Sequence, residues 1–114
     1  MLAKVLNQAG VHRNEWFLPA AQSLYVTDLG PVVQQGTPIA TGSLDVPSFD
    51  REALIRALRA DQAGMSTFAE FLGAAWRAGV LRYVADLDAR EVIYHGWNGE
   101  SYAESYPDAA IEQS

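Results

Sequence analysis

Leu2, Val5, Leu6 and Ala9 recur at the spacing of one helix face, and Gly10 then closes the turn. This predicts a short first helix. Val11–Leu18 and Ser23–Thr27, separated by Pro19-Ala20-Ala21-Gln22, predict a hairpin. From Gly30 to Ser48, glycines and prolines interrupt short apolar pairs such as Val32-Val33, the pattern of an edge strand followed by a connector. A mobile binding loop is the alternative for that stretch.

Asp50 stands as an N-cap, with Phe49 and Leu54 placed as a hydrophobic staple around it. Leu54, Ile55 and Leu58 then form the buried stripe of a helix over about residues 50–63, while Arg51, Glu52, Arg56, Arg59 and Asp61 face water. Thr67-Phe68-Ala69-Glu70 has the form of a capping box, and Phe68, Phe71, Leu72, Ala75 and Trp76 follow one apolar helical face up to Ala78-Gly79. Val80–Leu87 alternates, with Leu81, Tyr83, Ala85 and Leu87 to one side and Arg82 and Asp86 to the other. A turn at Asp88-Ala89-Arg90 leads to a strand over Glu91–Trp97. Asn98-Gly99 then predicts a two-residue hairpin returning as Glu100–Tyr106, which sets Trp97 opposite Glu100, His95 opposite Tyr102 and Ile93 opposite Glu104.

The pattern occurs twice. Leu2–Val33 lies over Phe71–Tyr102 at a constant offset of 69 residues, placing Ala9, Gly10, Val11, Arg13, Leu18, Ala20, Tyr25 and Gly30 on Ala78, Gly79, Val80, Arg82, Leu87, Ala89, Tyr94 and Gly99. The expected architecture is one domain over residues 1–114 of α+β class. In it, two α-β-β units with an extra helix between them form a two-layer sandwich, helices on one face of an antiparallel sheet. The first copy's helix begins about three residues later than the second's, so the recorded start is expected to be trimmed or to lack a turn.

Composition narrows the function. The 114 residues, 49% of them hydrophobic, suffice for a core without a staple, and the absence of cysteine removes disulfides, thiolate catalysis and zinc–thiolate or iron–sulfur sites. No basic leader followed by an apolar run and no membrane-length apolar stretch occurs, from which a soluble cytoplasmic protein is expected. The net charge of −6 lies entirely in residues 86–114, where Asp86, Asp88, Glu91, Glu100, Glu104, Asp108 and Glu112 face only Arg90. Such a surface repels phosphate and anionic lipid, so neither nucleic acid nor membrane is an expected partner. A solvated tail is the simplest reading of those acids; nucleic-acid mimicry toward a basic partner requires them on one face.

Thr67-Phe68-x-x-Phe71-Leu72, Ala78-Gly79-Val80-x-Arg82-Tyr83 and Tyr94-x-Gly96-x-x-Gly99-Glu100-Ser101-Tyr102 resemble the motifs of the YdfO-like group of small bacterial and prophage-borne domains of unknown function. Some members of that group carry the label "phage envelope protein". The resemblance covers about residues 46–107 well and the first half more loosely, with Asn14 standing where the second copy has Tyr83. It implies helices against an antiparallel sheet and brings no catalytic residues or cofactor.

The chemistry-bearing residues are few. His95, Tyr102, Glu100 and Glu104 surround the final hairpin, where a histidine facing a tyrosine beside a carboxylate could exchange protons near neutral pH. Trp97, Tyr102 and Tyr106, with Trp16, could anchor an interface. Arg13 and Arg82, each third in its strand, suit either pairing with an acid such as Asp86 or holding an anion. No matched nucleophile, phosphate loop or metal constellation accompanies them. The expectation is therefore a non-catalytic binding or interaction module without cofactor or metal, partnered by a second copy or another protein. The alternative is a small enzyme or ligand-binding protein built on His95, Tyr102 and Glu104.

Overall fold

A computed structural model describes residues 8–38, 42 and 44–105. The elements run β1 (Val11–Phe17), β2 (Gln22–Thr27), β3 (Gly30–Gln35), α1 (Arg51–Gln62), α2 (Phe68–Arg77), β4 (Arg82–Asp86), β5 (Glu91–His95) and β6 (Ser101–Ser105). The predicted first helix, Leu2–Ala9, and the tail beyond Ser105, Tyr106 included, lie almost wholly outside the described residues.

Both helices start where their side chains predict. The Asp50 carboxylate accepts from the Ala53 amide at 3.0 Å, and at α2 Thr67 and Glu70 exchange side-chain and backbone hydrogen bonds at 3.1 and 2.8 Å, satisfying amides that a helix N-terminus leaves open. Asp61, expected in water, is half-buried, and burial raises its carboxyl pKa.

The strands form one antiparallel sheet in the order β3-β2-β1-β4-β5-β6. Each meander is local, and the β1·β4 pair joins them. At its centre Glu15 lies opposite Val84, residues 69 apart, flanked by Phe17 opposite Arg82 and Arg13 opposite Asp86. Equivalent amides close the seam at both ends: Leu18 N–H donates to Leu81 C=O, and Leu87 N–H to His12 C=O, each at 2.9 Å. Left-handed φ values recur at the same offset, with Gly10 and Gly79 at +92° and +88° and Ala21 and Arg90 at +51° and +55°.

Period-two alternation assigns each strand residue a side. Leu18, Tyr83 and Tyr94 share a buried cluster with Leu54 and Leu58 of α1, with Phe71, Leu72 and Ala75 of α2, and with Ala78 and Val80, so this side of the sheet carries the core. Trp16 meets Phe68 edge-on at 5.3 Å, and the Arg51 guanidinium stands 5.0 Å above the Tyr102 ring. Asn14, at the place of Tyr83 in the other meander, is buried and donates from Nδ2 to Leu24 C=O.

The final hairpin differs from expectation by one residue. Tyr94 opposes Tyr102, His95 opposes Ser101 and Ile93 opposes Ala103. Three residues, Trp97-Asn98-Gly99, form the loop instead of two, with Gly99 at φ +83° in the left-handed conformation that ends such loops. The Glu100 side chain stabilises this turn by accepting from the Asn98 amide at 2.9 Å, while Gly96 N–H donates to Glu100 C=O.

Candidate interaction face

The one-residue change in register exchanges faces, because side chains alternate with a period of two. Tyr102 and Glu104 lie on the core side of β6, whereas His95 lies on the opposite side of β5, so the histidine–tyrosine–carboxylate cluster expected from sequence does not assemble. Glu104 instead ties the sheet to α1. Its Oε1 accepts from Arg59 at 3.0 Å and Gln62 at 2.9 Å, and its Oε2 from Arg59 at 3.0 Å and the Tyr102 hydroxyl at 2.7 Å. Burial would raise the Glu104 pKa, but the bonds from Arg59, Tyr102 and Gln62 outweigh it and the net shift is downward. Tyr102 is shifted upward, chiefly by donating to Glu104. Of the expected aromatic anchors within the described residues, Trp16 and Tyr102 are partly buried against the core, and only Trp97, at 58% exposure, projects freely.

A histidine not singled out for chemistry has the denser carboxylate environment. His12 sits at a bulge in β1, its Nε2 bonded to Asp28 and its Nδ1 3.0 Å from Asp88, which links the β2–β3 turn to the β4–β5 turn. Bonds to Asp28 and then Asp88 raise its pKa, whereas His95 is lowered by burial and by Arg82. The two aspartates lie 16 and 76 residues from His12, so no local spacing marks the cluster. Among the described residues no group of three or more His, Asp or Glu side chains is arranged to hold a metal ion.

The side of the sheet away from the core forms a grid of three rows across six strands. The middle row reads Val33, Leu24, Glu15, Val84, Ile93, Ala103 from β3 to β6, apolar at five of its six positions. On one flank stand Gln35, Gln22, Phe17, Arg82, His95 and Ser101; on the other, Pro31, Val26, Arg13, Asp86, Glu91 and Ser105. Phe17 and Val33 are 42% and 61% exposed, and Leu24, Val84 and Ile93 are half-buried. A groove of about 320 Å³ has Phe17, Gln22, Leu24, Val33, Glu15 and Arg82 among its lining residues. Arg13 pairs with Glu15 at 2.9 Å, so of the two arginines expected to pair or bind, one is matched within its own strand and the other lines the groove.

The five described acids of the C-terminal quarter do not share a face: Asp86 and Glu91 lie on this open side, Glu104 on the core side, Asp88 beside His12, and Glu100 in the hairpin. No helix among the described residues is long and apolar enough to cross a membrane.

Among the described residues the fold and face define an α+β domain with a six-stranded antiparallel sheet and two helices, the side of the sheet away from the core carrying an accessible, mainly apolar row. Residues 1–105 match a family described as a protein of unknown function, DUF1398, and the chain belongs to that family. It is 58% identical over 113 residues to uncharacterized proteins Mb2035 of Mycobacterium bovis and MT2067 and Rv2012 of Mycobacterium tuberculosis, covering 99% of this chain and 68% of each relative.

Proposed function

We propose that this chain is a non-catalytic interaction module that self-associates through the open face of its sheet. The supporting observation is the middle row, in which five of six consecutive strands present an apolar side chain to solvent. Contiguous apolar surface of this kind marks interaction sites, because isolated exposed apolar residues suffice for ordinary surface. At ~4.8 Å between strands and ~3.3 Å per residue the face measures about 29 by 16 Å, so two copies would cover on the order of 1,000 Å² together, the lower bound of a specific interface.

In this reading the molecule is a two-layer sandwich built from two duplicated β-meanders, supported by the 69-residue offset shared by sequence, strand register and left-handed turns. The motifs from Thr67 to Tyr102 support a place beside the YdfO-like group, and the lack of cysteine suits a reducing cytoplasm.

Light scattering with size-exclusion chromatography across a wide concentration range tests the proposal. A dimer is expected, and Val84→Lys should convert it to a folded monomer, while Arg56→Glu on α1 leaves it intact. A wild-type chain that stays monomeric at high concentration overturns the reading. So does a ligand from a metabolite panel that raises the melting temperature by filling the Phe17–Val33 groove of the monomer.

A further inference from the structure

On β4 and β5 the two rows flanking the apolar one differ in sign. Arg82 and His95 occupy neighbouring positions on β4 and β5 in one row, and Asp86 and Glu91 occupy the same two strands in the other. Within one molecule these rows stand apart on either side of Val84 and Ile93, and among the described residues Arg82 makes no ion pair. Asp86 uses Oδ1 to accept the Asp88 and Ala89 amides at 3.1 and 3.0 Å, which leaves its second oxygen available for a cation. A surface whose charges are mirrored across an apolar stripe is complementary to itself.

Resting on the self-association just proposed, we infer that two copies meet face to face by a half-turn about the apolar row. This rotation keeps each strand position and exchanges the flanks. Arg82 then faces the second copy's Asp86, His95 faces its Glu91, and Phe17 faces the Arg13 side chain. Each contact occurs twice by symmetry, as a two-fold interface requires. Val33, Leu24, Val84, Ile93 and Ala103 meet their own counterparts at the ~10 Å spacing of stacked sheets, with strands aligned to within about 30°. Glu15 also meets its counterpart, and each of these carboxylates is already neutralised by Arg13 at 2.9 Å.

Other symmetric arrangements use the surface less well. A half-turn about an axis parallel to the strands sets Arg82 against Phe17, His95 against Gln22 and Glu91 against Val26, keeping only Arg13 with Asp86. Edge-to-edge pairing through β3 or β6 leaves the whole apolar row in water.

The test is a pair of charge reversals. Arg82→Glu alone sets an acid opposite the second copy's Asp86 at both symmetric contacts, and Asp86→Arg alone sets a base opposite its Arg82 at both. Each variant should dimerise about tenfold or more weakly than wild type, because like charges facing one another across an interface are strongly disfavoured. Mixed together, the two should form a one-to-one heterodimer by native mass spectrometry. His95→Glu with Glu91→Lys provides a second pair, since Asp86 also supports the β4–β5 turn, and circular dichroism confirms the fold of every variant. If the reversals dimerise like wild type, or mixing recovers nothing in either pair, the half-turn is refuted. Should Val84→Lys still abolish the dimer, the face remains and only the arrangement falls; should Val84→Lys dimerise normally, the underlying reading falls too.

Discussion

Gly10, just before β1, and Gly79, between α2 and β4, have nearly equal φ, yet replacing each by alanine should have unequal consequences. At both, alanine in the left-handed region costs about 1–2 kcal/mol, because its Cβ crowds the following carbonyl. At Gly10 the added carbon would approach Asp28 Oδ2 at 2.5 Å, the end of an exposed side chain that can turn aside by giving up its bond to His12 rather than by moving backbone. At Gly79 it would meet backbone: Phe49 Cα and N at 2.6 Å, and the Ser48 carbonyl oxygen closer still. That backbone leads directly into α1, where the Asp50 amide donates to Ala78 C=O at 2.7 Å, so relief requires moving the helix entrance. Overpacking against a fixed neighbour adds ~1–3 kcal/mol, giving about 2–5 kcal/mol for Gly79→Ala against about 1–2 kcal/mol for Gly10→Ala. Urea unfolding followed by tryptophan fluorescence measures both, with unchanged m-values showing that the shift is one of stability. Equal losses, or a larger loss at Gly10, would refute the claim that the contact with the segment before α1, rather than φ alone, governs the second junction.

Three further outcomes follow from the side-chain clusters. His12 is raised above its ordinary value of 6.5, so its contribution is complete below that value and is lost as pH rises through the higher folded-state pKa. The difference between the melting curves of wild type and His12→Gln should shrink over that window, and a difference that stays constant with pH would remove the Asp28–His12–Asp88 link as its source. Glu104→Gln should cost about 1–2 kcal/mol at neutral pH, discounted for the exposed Arg59 partner. The Glu104 pKa is lowered from its ordinary 4.5, so its stabilisation is present above that value and lost as pH falls through the folded-state pKa. The Glu104→Gln deficit should therefore fade in acid, as thermal melts can show. Thr67→Ala removes one half of the α2 capping box and should lower stability by about 1 kcal/mol in the same assay.

Much of the architecture was readable from local signals. Asp50 and Thr67 cap the helices they were expected to cap, and Leu54, Leu58, Phe71, Leu72 and Ala75 are the buried helical positions, because capping and amphipathic spacing act within a turn or two of chain. The alternation of Val80–Leu87 likewise identified Tyr83 and Leu87 as inward and Arg82 and Asp86 as outward. The Asn98-Gly99 dipeptide located the last hairpin but not its register, since a glycine in the left-handed conformation serves a two-residue and a three-residue loop alike, and the one extra residue moves His95 away from Tyr102.

The sequence by itself determined where the two described helices begin, roughly where strands lie, and which positions along them are apolar. Only the tertiary structure decided what those positions face. Pairing β1 with β4 joined two local meanders into one sheet, brought Asp28 and Asp88 to His12, and aligned Val33, Leu24, Val84, Ile93 and Ala103 into a continuous row. The physical reason is range. Hydrogen-bond caps and side-chain periodicity are settled by neighbours in sequence, whereas a sheet face is the sum of registers between strands as far apart as Val33 and Ala103, and one residue of slip in any of them writes a different surface.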